Sequence, residues 1–230
     1  MAMAPLTQDQ VLDELEYLAT VEHALVVEYL TVGYALRAGY EDASRTAGSL
    51  AVDQMRKLSN VCSALSGAGR IPSLDRAASM TAAGVDVPFS PAGATAYAGL
   101  VGRETALARA ADDRYRTLAA AAPTGKDIID AIDQGQTHEA GLAGLWADLG
   151  DPVPAGLLAT VRFDAQTDAE ADALAGADAA YRVVVTALRA KFADAEAFNS
   201  YLEIALAAMN AVDGVGRALA RGGLVLSFNP

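Results

Sequence analysis

Leu18-Ala-Thr-Val-Glu-His-Ala-Leu-Val-Val-Glu-Tyr-Leu-Thr-Val-Gly-Tyr-Ala-Leu36 is the stretch on which the fold turns. Leu18, Leu25, Tyr29, Val32 and Leu36 recur at steps of three and four, the spacing of one buried face of a long helix. Glu22 falls on that same stripe. A carboxylate on a buried face is costly unless it is paired, protonated or bound to a metal ion. Inward carboxylates are also the means by which helical bundles build metal and substrate sites. The function therefore depends on what Glu22 meets in the interior.

The rest of the chain supports an all-α fold. Of its 230 residues 53% are hydrophobic, alanine is abundant, and β-branched runs are scarce outside Val183-Val-Val185. The first helix is expected to start after Thr7 as N-cap, with Asp9 in its opening turn, and to stop near Gly39. The second runs from about Ala43 to Ser66, closed by Gly67-Ala-Gly69 and Pro72. A connection from Ile71 to Pro91 is long enough for a crossover or a pocket-lining loop. The third helix is expected from Pro91 towards Ala121, and the fourth from Lys126 to Leu149. After Gly150-Asp-Pro-Val-Pro154 come a short helix around Asp168–Ala175 and two longer ones near Asp178–Phe192 and Ala195–Ala220. The expectation is one domain: residues 1–150 as a four-helix bundle, with helices in 155–230 packed on it.

Charge and cysteine usage narrow the partners. A formal charge of −12 and no basic run argue against nucleic acid and against anionic lipid. Cys62 is the single cysteine, which excludes a disulfide framework or a cysteine-based zinc site and fits a reducing cytoplasm. The N-terminus lacks the basic and apolar regions of a signal peptide, and the longest apolar stretch carries Glu22 and Glu28, so no membrane span is expected.

Bundles with inward carboxylates often hold two metal ions, taking one Glu from each of two helices and a Glu-x-x-His pair from each of the other two. Here the first helix offers Glu22 beside His23, the third Glu104, and the fourth His138. The second offers Asp53-Gln-Met-Arg-Lys57, with neither Glu nor His. His23 is one step off the stripe and is expected at an interface or in solvent, and Asp112-Asp113 as a solvated face. Tyr29, Tyr34 and Tyr97 are candidates either to line a pocket or to fill the core.

The run Val21-Glu-His-Ala-Leu-Val-Val-Glu-Tyr-Leu-Thr-Val-Gly-Tyr34 resembles the first helix of ferritin-like domains of the iminophenylpyruvate dimer synthase type. Val52-Asp-Gln-Met-Arg-Lys-Leu58 is similar to the Glu-Glu-Met-Leu-His-Leu segment of that family, and Asp133-Gln-Gly-Gln-Thr-His138 to its Glu-Gln-Gly-Glu segment. Pro88-Phe-Ser-Pro91 matches the lead-in to its third helix, so the resemblance spans nearly the whole chain. It implies a ferritin-like four-helix bundle with additional C-terminal helices, in bacterial natural-product pathways that handle imino acids derived from aromatic amino acids. Carried across position by position, Gln54 stands for the family's second-helix Glu, Lys57 for its His, and Gly135 for the Glu three residues before His138.

These departures lead to three expectations. The first is an enzyme without the two-metal site and without a cofactor, in which the Lys57 ammonium, near Glu22 and Glu104, supplies the positive charge that metal would have supplied. Glu22, His138, Lys57 and Glu104 would carry catalysis by proton transfer or charge stabilisation, on a small aromatic or imino-acid-derived substrate held by Tyr29, Gln54 and Tyr97. Cyclisation, condensation or isomerisation suits such a site. The second is an oxidase in which Glu22, Glu104 and His138, helped by Asp53, bind iron or manganese and activate dioxygen. The third is a non-catalytic binding protein with Glu22 and Lys57 as a core ion pair. A homodimer follows from the resemblance alone.

Overall fold

The computed structural model describes residues 5–89, 100–122, 137–150, 161–194, 198–226 and 228. Its elements in chain order are α1 (Gln8–Ala35), α2 (Glu41–Gly67), β1 (Ser79–Ala82), β2 (Val85–Pro88), α3 (Leu100–Ala121), α4 (His138–Leu149), α5 (Asp168–Ala193) and α6 (Phe198–Arg221). The fold is all-α apart from this one two-stranded hairpin among the described residues.

Helix α1 begins where the sequence puts it. Thr7 and Gln10 form a capping box, each side chain taking the other's backbone N–H. The helix stops at Ala35, before the expected Gly39, because Leu36 is already extended. Leu18, Leu25, Tyr29 and Val32 are all buried, and burying each such side chain contributes about 1.5–3 kcal/mol.

Contacts between helices fix the direction of each. Leu6 N donates to Ala121 O at one end of α1 and α3, and Arg103 meets Glu28 at the other, so these two run antiparallel. Ser44 Oγ donates to Gly33 O while Arg70 reaches back to Asp13, so α1 and α2 are antiparallel too. Thr46–Asp148 and Lys57–His138 set α2 against α4, and Thr105–Trp146 and Asp112–His138 set α3 against α4, both antiparallel. Helices α2 and α3 are therefore parallel, and the chain between them must travel the length of the bundle. This is the crossover that the long Ile71–Pro91 connection implied.

That connection contains a hairpin that the helix-based reading did not anticipate. Met80 pairs with Val87 and Ala82 with Val85 around Ala83-Gly84, both at positive φ (51° and 79°). Met80 and Ala82 turn into the core, and Ala77 N donates to Thr20 O on α1.

Other expectations are corrected. Helix four does not run unbroken from Lys126: Thr137 is extended and caps Ala140 N, so α4 starts at His138. Residues 123–136 lie outside the described residues, as do residues 90–99, where the third helix was expected to begin, and 195–197, where the last was. The two helices expected at Asp168–Ala175 and Asp178–Phe192 are one, α5, which passes through Gly176. A single helical glycine costs about 1 kcal/mol relative to alanine, too little to break an alanine-rich helix with a buried stripe.

Two clusters of buried side chains divide the interior. One joins Leu15, Leu18, Val61, Leu65, Tyr115 and Leu118 to Tyr181, Val185, Phe192 and Phe228, which docks the α5–α6 pair and the C-terminal tail. The other packs Val21, Leu25, Tyr29, Val32, Leu50, Met80, Leu107 and Leu142 inside the four-helix bundle. Among the described residues, no helix is long and apolar enough to cross a membrane.

Candidate functional site

Glu22 is fully buried, and what it meets is His138. The two come from antipodal parts of the sequence because α1 and α4 face each other across the bundle. His138 Nε2 lies 3.0 Å from Glu22 Oε1 and 3.3 Å from Oε2. The Tyr115 hydroxyl, from α3, donates to the same Oε1 at 2.8 Å. The other ring nitrogen, Nδ1, is 2.7 Å from Asp112 Oδ1. The imidazole is therefore strung between two carboxylates, one at each edge.

Asp112 does more than meet the ring. Its two oxygens also accept the backbone N–H groups of His138 and Glu139, at 3.1 Å each, so it closes the amino end of α4 from a neighbouring helix. The sequence reading placed Asp112 with Asp113 on a solvated face. Only Asp113 is there, exposed and paired with Arg116; Asp112 is buried. Glu104, Ala108, Ala111, Asp112 and Tyr115 fall at helical spacing, and that signal was available in the sequence.

Lys57 is also inside the bundle, with Nζ 3.2 Å from His138 Nδ1. The expectation put this ammonium near Glu22 and Glu104; the structure sets it beside the histidine–Asp112 edge. In formal charge Glu22 and Asp112 balance Lys57 and a protonated His138. Burial disfavours the imidazolium, but the Glu22 charge and the hydrogen bonds with Asp112 and Glu22 outweigh it and raise the His138 pKa to about 9, against some opposition from Lys57. Burial likewise works against ionised Asp112, yet hydrogen bonding to His138 holds its pKa below the ordinary value. At neutral pH the ring is an imidazolium donating to both carboxylates.

A second group lies further along α1. Arg103, on α3, grips Glu28 at 2.6 and 3.0 Å, donates to Glu104 Oε1, and reaches Pro88 O of the hairpin at 2.6 Å. Desolvation, followed by the charge of Glu28, pushes the Glu104 carboxyl well above the usual range, and a hydrogen bond with Glu28 adds to the shift. Burial and the nearby Glu104, Glu22 and Glu28 charges do the same to the Tyr29 hydroxyl, which ties this group electrostatically to the first. Neither Glu28 nor Arg103 was singled out from sequence.

Three buried polar atoms stand without a hydrogen-bond partner among the described residues: Tyr29 Oη, Gln54 Oε1 and Glu104 Oε2. All three belong to residues that the sequence reading proposed for the site. Tyr97, proposed with them, lies outside the described residues.

The donor set does not fit the metal pair of a ferritin-like site. Glu22 and Asp112 occupy opposite edges of His138 and share no common point. Glu104 is engaged by Arg103, and Asp53 faces outward with Arg56 at 2.7 Å. Among the described residues, no three His, Cys, Asp or Glu side chains are grouped to hold a metal ion. Of the set Glu22, Glu104, His138 and Asp53, Glu22 and His138 are in contact, while Glu104 is held by Arg103 and Asp53 by Arg56.

His23 is corrected as well. It is buried rather than exposed, with Nδ1–H donated to Leu74 O at 2.9 Å and Nε2 accepting from the Tyr181 hydroxyl at 2.6 Å. Burial lowers its pKa to about 4, so it is a neutral strut between α1, the connection and α5. Comparison with protein-family models, curated proteins and solved structures finds no match to this chain.

Proposed function

We propose that the chain is an enzyme acting on a small aromatic or imino-acid-derived intermediate of bacterial secondary metabolism, on a ferritin-like scaffold, by acid–base and electrostatic catalysis. The observation that carries this reading is the Glu22–His138–Asp112 array, fully inside the bundle with Tyr115 and Lys57 around it. Polar groups so deep are expensive to bury, and simple apolar packing would stabilise the fold as well or better. Clusters of perturbed titratable groups are typical of catalytic sites.

In this reading Glu22 accepts a proton from the carbon next to an imine or carbonyl. The His138 imidazolium stabilises the negative charge that develops, and Asp112 positions the ring by holding both Nδ1 and the start of α4. Cyclisation, condensation and isomerisation of imino-acid derivatives all require that proton to move. The protein works in the cytoplasm, and a homodimer is the assembly the family resemblance suggests.

The test is deuterium wash-in at that carbon, followed by NMR in heavy water with indolepyruvate and ammonium, which form the imine in equilibrium. Wild type accelerates exchange over buffer, and Glu22→Gln and His138→Gln each lower the enzymatic rate by about 10²–10⁴-fold. Exchange no faster than buffer overturns the proposal. So does turnover that appears only with added iron or manganese and consumes dioxygen.

A further inference from the structure

We propose that the outward face of the α5–α6 pair is an interface between two copies of this chain, related by a two-fold axis. The inference gives the homodimer proposed above a face, and it is argued from that surface, not from the resemblance or the catalytic site. Helix α5 buries Tyr181, Val184, Val185 and Phe192, and α6 buries Ala205, Val212 and Gly216, which leaves the far side of both to solvent. An open groove of about 440 Å³ runs between them, lined by Ala179, Val183, Thr186 and Ala190 on α5 and by Tyr201 and Ile204 on α6. Val183 and Ile204 are 45% and 47% exposed. Single exposed aliphatic side chains are ordinary, but two that flank one apolar groove mark an interaction surface.

Three properties of this face fit a second copy rather than an unlike partner. The first is charge. The chain carries −12 overall, yet the groove has one charge of each sign beside it: Arg182 lines it from α5, and Glu203 precedes Ile204 on α6. Both are exposed, and neither has an ion-pair partner among the described residues. A strongly acidic or strongly basic partner would oppose one of the two, whereas a copy supplies the complement of each. The second is register. Helices α5 and α6 are antiparallel neighbours joined by residues 194–197. Arg182 lies eleven residues before the end of α5 and Glu203 five after the start of α6, about 16 Å and about 8 Å along the helices. A two-fold axis crossing the pair about 12 Å from those ends brings Arg182 of each copy level with Glu203 of the other. The same axis brings Val183 level with Ile204. The third is size. Helices of 26 and 24 residues with axes about 8–10 Å apart present an outward face of about 700 Å². A stable complex buries about 800 Å² on each partner, so the face is of the extent a dimer needs.

Sedimentation equilibrium of the full chain over a range of concentrations tests the assignment. Wild type associates to a dimer. Ile204→Glu, which puts a carboxylate on the groove wall of each copy, raises the dimer Kd about 100-fold or more, and Arg182→Glu raises it about tenfold. Adding Glu203→Arg to Arg182→Glu restores a pair of opposite sign and recovers most of that loss. Val52→Glu, at a similarly exposed position on α2, leaves association unchanged. All four side chains are exposed, so the variants keep the helix content of wild type by circular dichroism; should Ile204→Glu lose it, the charge reversal decides alone. A wild-type chain that stays monomeric up to about 100 μM overturns the proposal and leaves the groove to another occupant. A dimer that Ile204→Glu weakens no more than Val52→Glu does also overturns it, while the homodimer reading survives through another face. A double charge variant as weak as Arg182→Glu alone overturns it too.

Discussion

The chain's two histidines, both buried, respond to their surroundings in opposite directions, and this makes them readable by pH. His138 has carboxylates on both edges and a pKa raised to about 9. A folded-state value above the unfolded one contributes stability that is full below about pH 6.5 and is lost as pH rises towards 9. His23 has only a carbonyl and a tyrosine hydroxyl, with Arg76 opposing its charge, and its pKa falls to about 4. Its contribution is present above about pH 6.5 and is lost as pH falls towards 4. Glu104, whose carboxyl is raised, tilts stability the same way as His138. Melting temperature followed against pH should therefore show His138→Gln with a flatter alkaline limb than wild type, and His23→Gln with a flatter acid limb. The slope is the readout, whatever the absolute loss. A His138→Gln profile that still falls as steeply between pH 6.5 and 9 would contradict the ion array. At this scale Glu22 and His138 were legible in sequence because each stands out from its surroundings: a charge on an apolar stripe, and one of only two histidines in the chain, on the expected fourth helix. Asp112 was missed although its helical spacing with Glu104, Ala108 and Tyr115 was there to be read, because the neighbouring Asp113 makes the pair look solvated and its partner is 26 residues away.

At the level of elements, helix existence followed from periodicity and caps, while whatever depended on neighbours did not. Val85-Asp-Val87 alternates, but four-residue strands become stable only when one face packs, as Met80 and Ala82 do here. Glycine shows the same dependence. In α6, Gly216 sits against the Tyr34 ring of α1, and a Cβ there would be 2.6 Å from Tyr34 Cε2. The ring is held by its hydroxyl, which donates to Asp213 at 3.1 Å, so it does not yield easily. In α1, Gly33 faces Ala47, and a Cβ would make an ordinary contact at 3.4 Å. Gly216→Ala is thus expected to destabilise by about 1–3 kcal/mol through overpacking. Gly33→Ala should fall between neutral and about 1 kcal/mol more stable, because alanine is the better helix former. Urea denaturation of the two variants side by side checks the ordering, and a Gly216→Ala protein as stable as wild type would mean that α6 does not approach α1 this closely.

Over the whole molecule, the site and the C-terminal helices are served by largely different parts of the core, with Tyr115 shared: it donates to Glu22 and packs in the cluster that docks α5–α6. The polar array is set among the side chains of the four-helix bundle, around Val21, Leu25 and Leu142. The α5–α6 pair docks on the other cluster, through Tyr181, Val185 and Phe192. Among the described residues its polar attachments include Tyr181 to His23, Ser66 Oγ to Phe192 O at 2.8 Å, Lys191 Nζ to Ser59 Oγ at 3.5 Å, Tyr34 to Asp213, and Arg189 to Ser73 O and Asp75. The sequence showed stripes on both helices and so the fact of packing, but not its location, since a stripe does not name the surface it covers. A division of this kind predicts that the pair can be loosened without disturbing the site. Tyr181→Phe keeps the ring and its edge contact with Phe228, and removes only the hydroxyl that satisfies His23 Nε2. Leaving that buried acceptor alone should cost about 1–3 kcal/mol. Hydrogen exchange should then accelerate in α5 and α6, with α1 and α2 little changed. If instead the substitution speeds exchange evenly through all six helices, the pair and the bundle open as one unit, and the His23 strut belongs to the global fold rather than to the docking of its C-terminal part.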